Sequence, residues 1–190
     1  MAFKKRMWKL EASKPGDGGL FIFLPDSISS RIYAWQSQFK EYIRMPKPHL
    51  TLMYPPYISR DVWNIHRPEI ARRTKLTAPF EVEFTKTGFF KDPFFLYIAP
   101  SDTEELDTLN SQLSGVCPEN IQGLNLEPFI PHASIGTFAT EESTLYAQKQ
   151  LETFMKKTDL KFTVKEVFYT VLDDDFRWKV HDIISLGRKK

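Results

Sequence analysis

Short apolar runs alternate along the chain with longer stretches in which apolar residues recur every three or four positions, a pattern of strands interleaved with amphipathic helices. Leu20 to Leu24 is an unbroken apolar run and predicts a first strand. Behind Pro25, residues Ile28, Ile32, Trp35, Phe39 and Ile43 repeat at helical spacing, which predicts a helix from Asp26 to about Tyr42. Met45-Pro46-Lys47-Pro48 stops it, because a proline turns its predecessor away from helical backbone. His49 to Tyr54 then reads as a short strand, and Ser59 to about Arg73 as a second helix broken or kinked at Pro68.

Phe80, Val82 and Phe84 alternate with Glu81 and Glu83, a strand with one buried face, and Phe94 to Ala99 is its hairpin partner across Lys91-Asp92-Pro93. Thr103 to Leu113 carries Leu106, Leu109 and Leu113 on one helical face, ended by Gly115 and Pro118. Phe129 to Phe138 repeats the earlier strand pattern, and Glu141 to Lys156 sets Leu145, Gln148, Leu151 and Met155 in helical register. Two last strands, Lys161 to Leu172 and Phe176 to Leu186, flank a turn at Asp173-Asp174-Asp175. The result is an α+β chain made of two similar strand-and-helix series, each with one Pro-His strand. The breaker cluster Ser13-Lys14-Pro15-Gly16-Asp17-Gly18-Gly19 divides an N-terminal arm, 1–19, from a single domain, 20–190.

Composition narrows the possibilities. Hydrophobic residues make up 42% of the 190-residue chain, enough for a core that needs neither disulfides nor a structural metal. The one cysteine, Cys117, can form no internal bridge and no cysteine zinc site; it is expected to be structural, in a chain suited to a reducing compartment. A formal net charge of +2 falls well short of the dense basic surface that long nucleic acid demands. The basic start, with Lys4, Lys5 and Arg6, is followed by no apolar run of signal or membrane-spanning length, so a soluble, cytoplasmic protein is expected, without a membrane or an obligate protein partner. No glycine-rich phosphate loop follows a strand, since Gly16 to Gly19 precedes one.

The chemistry is concentrated in a repeated motif. Pro48-His49-Leu50-Thr51-Leu52 and Pro131-His132-Ala133-Ser134-Ile135 share the pattern Pro-His-apolar-hydroxyl-apolar. From ordinary residue usage, two independent matches arise by chance about once in ten thousand chains of this size. On a strand, residues i and i+2 share a face about 6–7 Å apart, so each histidine projects with its hydroxyl partner while the apolar residues face the other layer. Strands lying side by side would point both imidazoles at one phosphate. Imidazole titrates near neutrality, so one ring can take a proton while the other gives one, and the hydroxyls can donate to phosphate oxygens. Two histidines without a His-Glu-x-x-His motif, an Asp cluster or a Cys pair are a poor match to a zinc or two-metal site, so neither metal nor cofactor is expected.

These residues resemble the 2H phosphoesterases, also called the 2′-5′ RNA ligase-like or cyclic phosphodiesterase superfamily, over about Leu20 to Leu186. The resemblance implies a bilobal, pseudo-symmetric α+β fold with two antiparallel sheets around a central cleft and flanking helices. It makes His49 and His132 the acid/base pair, with Thr51 and Ser134 as phosphate binders. The activity implied is metal-independent cleavage of a 2′,3′-cyclic phosphate, a 2′-5′ oligoadenylate or a cyclic dinucleotide, with a small nucleotide or an RNA end as partner. Some bacterial members carry an Arg soon after the second motif; here Gly136-Thr137-Phe138 stands in that place.

A nucleotide needs an aromatic face for its base and cations for its phosphate, which selects Tyr54, Phe138, Tyr169, Arg177 and Lys179 as substrate-binding candidates, each with sheet packing as the competing reading. His66 and His181 lack the motif and are expected to be structural or at the surface, and Trp35 and Phe39 to pack in the core. The competing function is a non-catalytic nucleotide- or RNA-end-binding module using the same cleft, although binding alone needs no pair of titrating groups.

Overall fold

The computed structural model describes residues 13–39, 47–91, 93–117 and 129–187. The expectations that fall on 1–12, Ile43 and Pro118 lie outside these residues. Among the described residues, eight strands and four helices succeed one another as β1 (Gly18–Phe23), α1 (Asp26–Gln36), β2 (His49–Met53), α2 (Trp63–Thr74), β3 (Phe80–Phe90), β4 (Phe94–Pro100), α3 (Glu104–Ser114), β5 (Ala133–Phe138), α4 (Glu141–Met155), β6 (Lys161–Val164), β7 (Glu166–Leu172) and β8 (Trp178–Ser185). The strand pairs are antiparallel, in the order β6-β3-β4-β5-β2-β1-β7-β8.

Where two sheets were expected there is one eight-stranded sheet, whose two halves are joined by the pairing of β2 with β5. β2 and β5 meet through the pair Leu50↔Ala133, and four strands lie on each side of that seam. A pseudo-twofold through the pair exchanges β1-α1-β2-α2-β3 with β4-α3-β5-α4-β7. Each repeat sends its last strand into the other half, β3 pairing with β4 and β7 with β1.

Most elements form where the apolar pattern places them, and the differences have local causes. Gly18 and Gly19, read as part of the breaker, belong to β1 opposite Val171 and Thr170. A Cβ on Gly18 would collide with the Tyr169 ring and the Ile58 carbonyl, so glycine is needed there for close approach, not for a turn. Pro68 does not break α2; it lies in the second turn behind a 3₁₀ turn at Arg60–Val62 and forfeits a single helical bond. In α4, capped by a reciprocal Thr140–Ser143 box, the buried face is Thr144, Ala147 and Leu151, whereas Leu145 is 44% exposed. Small residues at 144 and 147 let the helix approach the sheet closely. The single strand expected from Lys161 to Leu172 is interrupted at Lys165, β6 joining β3 and β7 joining β1.

The core fills the space between the helices and one face of the sheet. Leu20, Ile22, Leu50, Leu52, Ile98, Ala133 and Ile135 point into it from the strands; Ile28, Ile32, Trp35, Ile70, Leu106, Leu109 and Leu113 meet them from α1, α2 and α3. Trp35 and Phe39 pack together with ring centroids 4.7 Å apart. The opposite face of the central strands carries the polar residues of the motifs.

Candidate active site

Alternation about the Leu50↔Ala133 pair sets the geometry of the cleft. In antiparallel register the neighbouring positions place Thr51 across from His132 and His49 across from Ser134, all on the face opposite buried Leu50 and Ala133. A cavity of about 570 Å³ opens on that face, lined by the four motif side chains with Lys47 and Tyr54, by Phe21 and Phe23 of β1, by Phe168 and Thr170 of β7, and by Trp178 and Val180 of β8. Among the described residues that line it, Lys47 carries the formal charge and none is a carboxylate.

Both imidazoles are held alike. His49 Nδ1 lies 2.8 Å from the Lys47 carbonyl, and His132 Nδ1 lies 2.7 Å from the Ile130 carbonyl, in each case two residues upstream. A carbonyl only accepts, so each Nδ1 carries the proton and donates it, which leaves Nε2 as the basic atom of each neutral ring. Aromatic neighbours fix the ring planes: Phe21 lies edge-on to His49 at 4.8 Å, while Phe90 and Tyr97 lie 5.0 and 5.2 Å from His132. Burial lowers the pKa of both histidines from the ordinary 6.5, opposed by the carbonyl each one faces; the charge of His132 lowers His49 further. Tyr54 Oη lies 3.5 Å from His132 Nε2, and burial pushes its pKa up to about 12, so it stays a hydroxyl donor at neutral pH.

A bulge in each motif strand decides where the next side chains point. Thr51 pairs with Phe21 but Met53 with Leu20, which makes Leu52 an extra residue on β2; Ser134 pairs with Tyr97 but Gly136 with Leu96, which makes Ile135 extra on β5. The bulges reverse the alternation. Tyr54, an odd number of residues beyond Thr51, therefore returns to the cavity, as its place near the motif suggested.

The corresponding bulge on β5 turns Phe138 away from the site. It is buried in the core, 5.6 Å from Phe39, which corrects its selection as a substrate-binding residue. Tyr169 is likewise corrected: it points to the core face of β7, stacks on Trp63 at 3.6 Å and donates to the Ile58 carbonyl at 2.9 Å. Arg177 and Lys179 lie on the solvent side of the β7–β8 hairpin. Asp173 engages both, accepting from the Arg177 backbone N–H and pairing with Lys179 Nζ at 2.7 Å. The cavity takes instead the residues alternate to them, Trp178 and Val180, together with Phe168 and Thr170 flanking Tyr169. Lys47, Phe21 and Phe23 were also missed. Strand parity could have found Phe21 and Phe23; no sequence signal brings β7 and β8, and with them Phe168 and Trp178, beside the first motif.

Outside the cavity, Cys117 is buried and its Sγ lies 3.1 Å from His66 Nδ1, a partner the sequence did not reveal. His181 is exposed, edge-on to Tyr169 at 5.7 Å. Among the described residues no three His, Cys, Asp or Glu side chains come together, and no helix is long and apolar enough to cross a membrane.

The fold and the duplicated His-x-Thr/Ser motifs define a two-lobed protein of the 2H phosphoesterase type. Residues 24–176 match the model of the 2′-5′ RNA ligase superfamily, and the chain belongs to that family. The structure is similar to that of Escherichia coli LigT complexed with 3′-AMP, at 16% identity and a TM-score of 0.70 over 92% of this chain and 100% of that one. It is similar also to apo LigT, with 16% identity and a TM-score of 0.67 over 93% and 100% of the two chains. A Thermus thermophilus protein matches at 18% identity and a TM-score of 0.69, over 91% of this chain and 99% of the other. Among curated proteins none matches at a significant level.

Proposed function

We propose that the cavity cleaves a phosphodiester in a small nucleotide, either a 2′,3′-cyclic phosphate or a 2′-5′ or cyclic-dinucleotide linkage, by proton transfer between the two histidines. One observation carries this reading: two imidazoles, their Nδ1 atoms occupied by backbone carbonyls, stand over one cavity with two hydroxyls and, among its described lining residues, no carboxylate. In the reaction one Nε2 removes the proton of the attacking water or hydroxyl as its oxygen bonds to phosphorus. The other ring, protonated, gives its proton to the departing oxygen as that P–O bond breaks. Thr51 and Ser134 donate to the nonbridging oxygens, where negative charge accumulates. Burial lowers the pKa of both rings, and an anionic phosphate beside them raises it again, favouring the protonated form of the ring that acts as acid.

The walls favour a nucleotide. A volume of about 570 Å³ is within the range for a ligand of this size, and Phe21, Phe23, Phe168 and Trp178 offer ring faces for a base on the His49 side. LigT has been crystallised with 3′-AMP, a mononucleotide, in the same fold. The test is turnover by the purified protein, with excess chelator, of a panel of 2′,3′-cyclic nucleotides, 2′-5′ dinucleotides and cyclic dinucleotides. Cleavage of at least one class, lowered about 100-fold or more by His49→Ala and by His132→Ala, is the expected result. Tight binding of a nucleotide with no turnover of any would overturn the reading in favour of a binding module.

A further inference from the structure

We infer that Gln36 and Asn110 are a matched pair of positioning residues that hold the two bulges of the motif strands from the core side, an inference that rests on the phosphodiesterase reading of the cavity. Asn110, on α3, donates from Nδ2 to the Leu52 carbonyl at 2.7 Å. Gln36, at the end of α1, donates from Nε2 to the Ile135 carbonyl at 2.5 Å. Leu52 and Ile135 occupy the same place in the two motifs, directly after the hydroxyl residue, and each is the extra residue of its bulge. Each amide crosses the pseudo-twofold: α1 precedes β2 yet serves β5, and α3 precedes β5 yet serves β2.

The physical need is local. A bulged residue leaves a regular ladder, and a buried carbonyl without a donor is costly. Both side chains are buried, 1% exposed for Gln36 and 8% for Asn110, where a leucine would satisfy the surroundings but not the carbonyl. Gln36 Oε1 has no hydrogen-bond partner among the described residues, so that amide is kept in the core for what its nitrogen does. The bulge sets the direction of the residue before it and of the residues after it. On β2 those are Thr51 and Tyr54, and on β5 Ser134. Asn110 thus aims the Thr51 hydroxyl, and Gln36 aims the Ser134 hydroxyl, without touching substrate.

The test is a pair of mutant cycles. Asn110→Leu and Gln36→Leu should each lower kcat about tenfold or more with little change in KM, since a small displacement of a group that stabilises the transition state costs rate before binding. The loss from Asn110→Leu should largely vanish in a Thr51→Ala background and persist in Ser134→Ala; Gln36→Leu should show the mirror image. Ile70→Val, buried in α2, serves as the control for lost stability and should leave kcat unchanged. If the leucine variants do not fold, Asn110→Ala and Gln36→Met carry the same cycles, because each removes the donor without burying a charge. Equal losses in both backgrounds, or no loss, would overturn the inference. Backbone amide NMR needs no turnover and separates the two readings. Shifts confined to 51–54 on changing Asn110, and to 134–137 on changing Gln36, support the positioning role even in a protein that cleaves nothing; shifts spread over the sheet, or absent, refute it.

Discussion

The unprotonated Nε2 is the atom on which the chemistry turns, and the two Nδ1–carbonyl bonds make its identity the same in both motifs. Replacing either His49 or His132 with Ala should lower kcat/KM about 10²–10⁴-fold, the usual contribution of a positioned acid or base, and the double variant should lose far less than the product of the single losses. Thr51→Ala and Ser134→Ala remove donors to charged oxygen and should cost at most about 10²–10³-fold. The five variants on one cleavable nucleotide, with thermal melts to check folding, decide this. The pH dependence comes from the lowered pKa values. The free enzyme must hold one imidazolium to act as acid, so the optimum of kcat/KM should lie on the acid side of 6.5, while kcat, read with the phosphate anion bound, should peak at higher pH. Stability obeys the same sign. The unfolded chain takes up these protons first, so the stabilisation from the neutral histidines is complete above pH 6.5 and lost as the pH falls through the folded values. Melting temperature should therefore drop below pH 6.5, less steeply in the His49→Ala, His132→Ala double variant.

Elements show what was legible in the sequence. Helical spacing located α1, α3 and α4, and the Pro-His pattern located β2 and β5, because local periodicity decides whether a segment becomes helix or strand. The four motif residues were legible for the same reason: His, hydroxyl and greasy positions alternate within five residues. Phe138 and Tyr169 were misplaced because facing depends on pairing. An unseen bulge at Ile135 reversed the parity of β5, and the close packing of Trp63 claimed Tyr169 for the core. In α4 the spacing was right and Leu151 and Met155 meet the core, but Leu145 is exposed, its place against the sheet taken by the smaller Thr144 and Ala147. That helix also permits a clean test of local stability. Thr140→Ala removes the cap and should cost about 1 kcal/mol in urea unfolding without affecting turnover, because Thr140 lies outside the cavity.

At the scale of the molecule, the exchange of β3 and β7 between repeats makes the two halves one unit. Each sheet half is completed by a strand from the other repeat, so heat or urea should melt the chain in one transition, with coincident near-UV and far-UV signals; two separated transitions would contradict the exchange. The Phe168 and Trp178 wall of the cavity comes from β7 and β8, late in the chain, while His49 comes from β2 near its beginning. On the ribosome this separation acquires a meaning in time. β1 and β2 are made well before Glu166–Leu172, the outer neighbour of β1, so the first lobe must wait, with the edge of β1 unpaired, until synthesis has passed β7. Nascent chains stalled before Glu166 should stay open to protease in the first lobe, and its resistance should appear abruptly once β8 has cleared the exit tunnel.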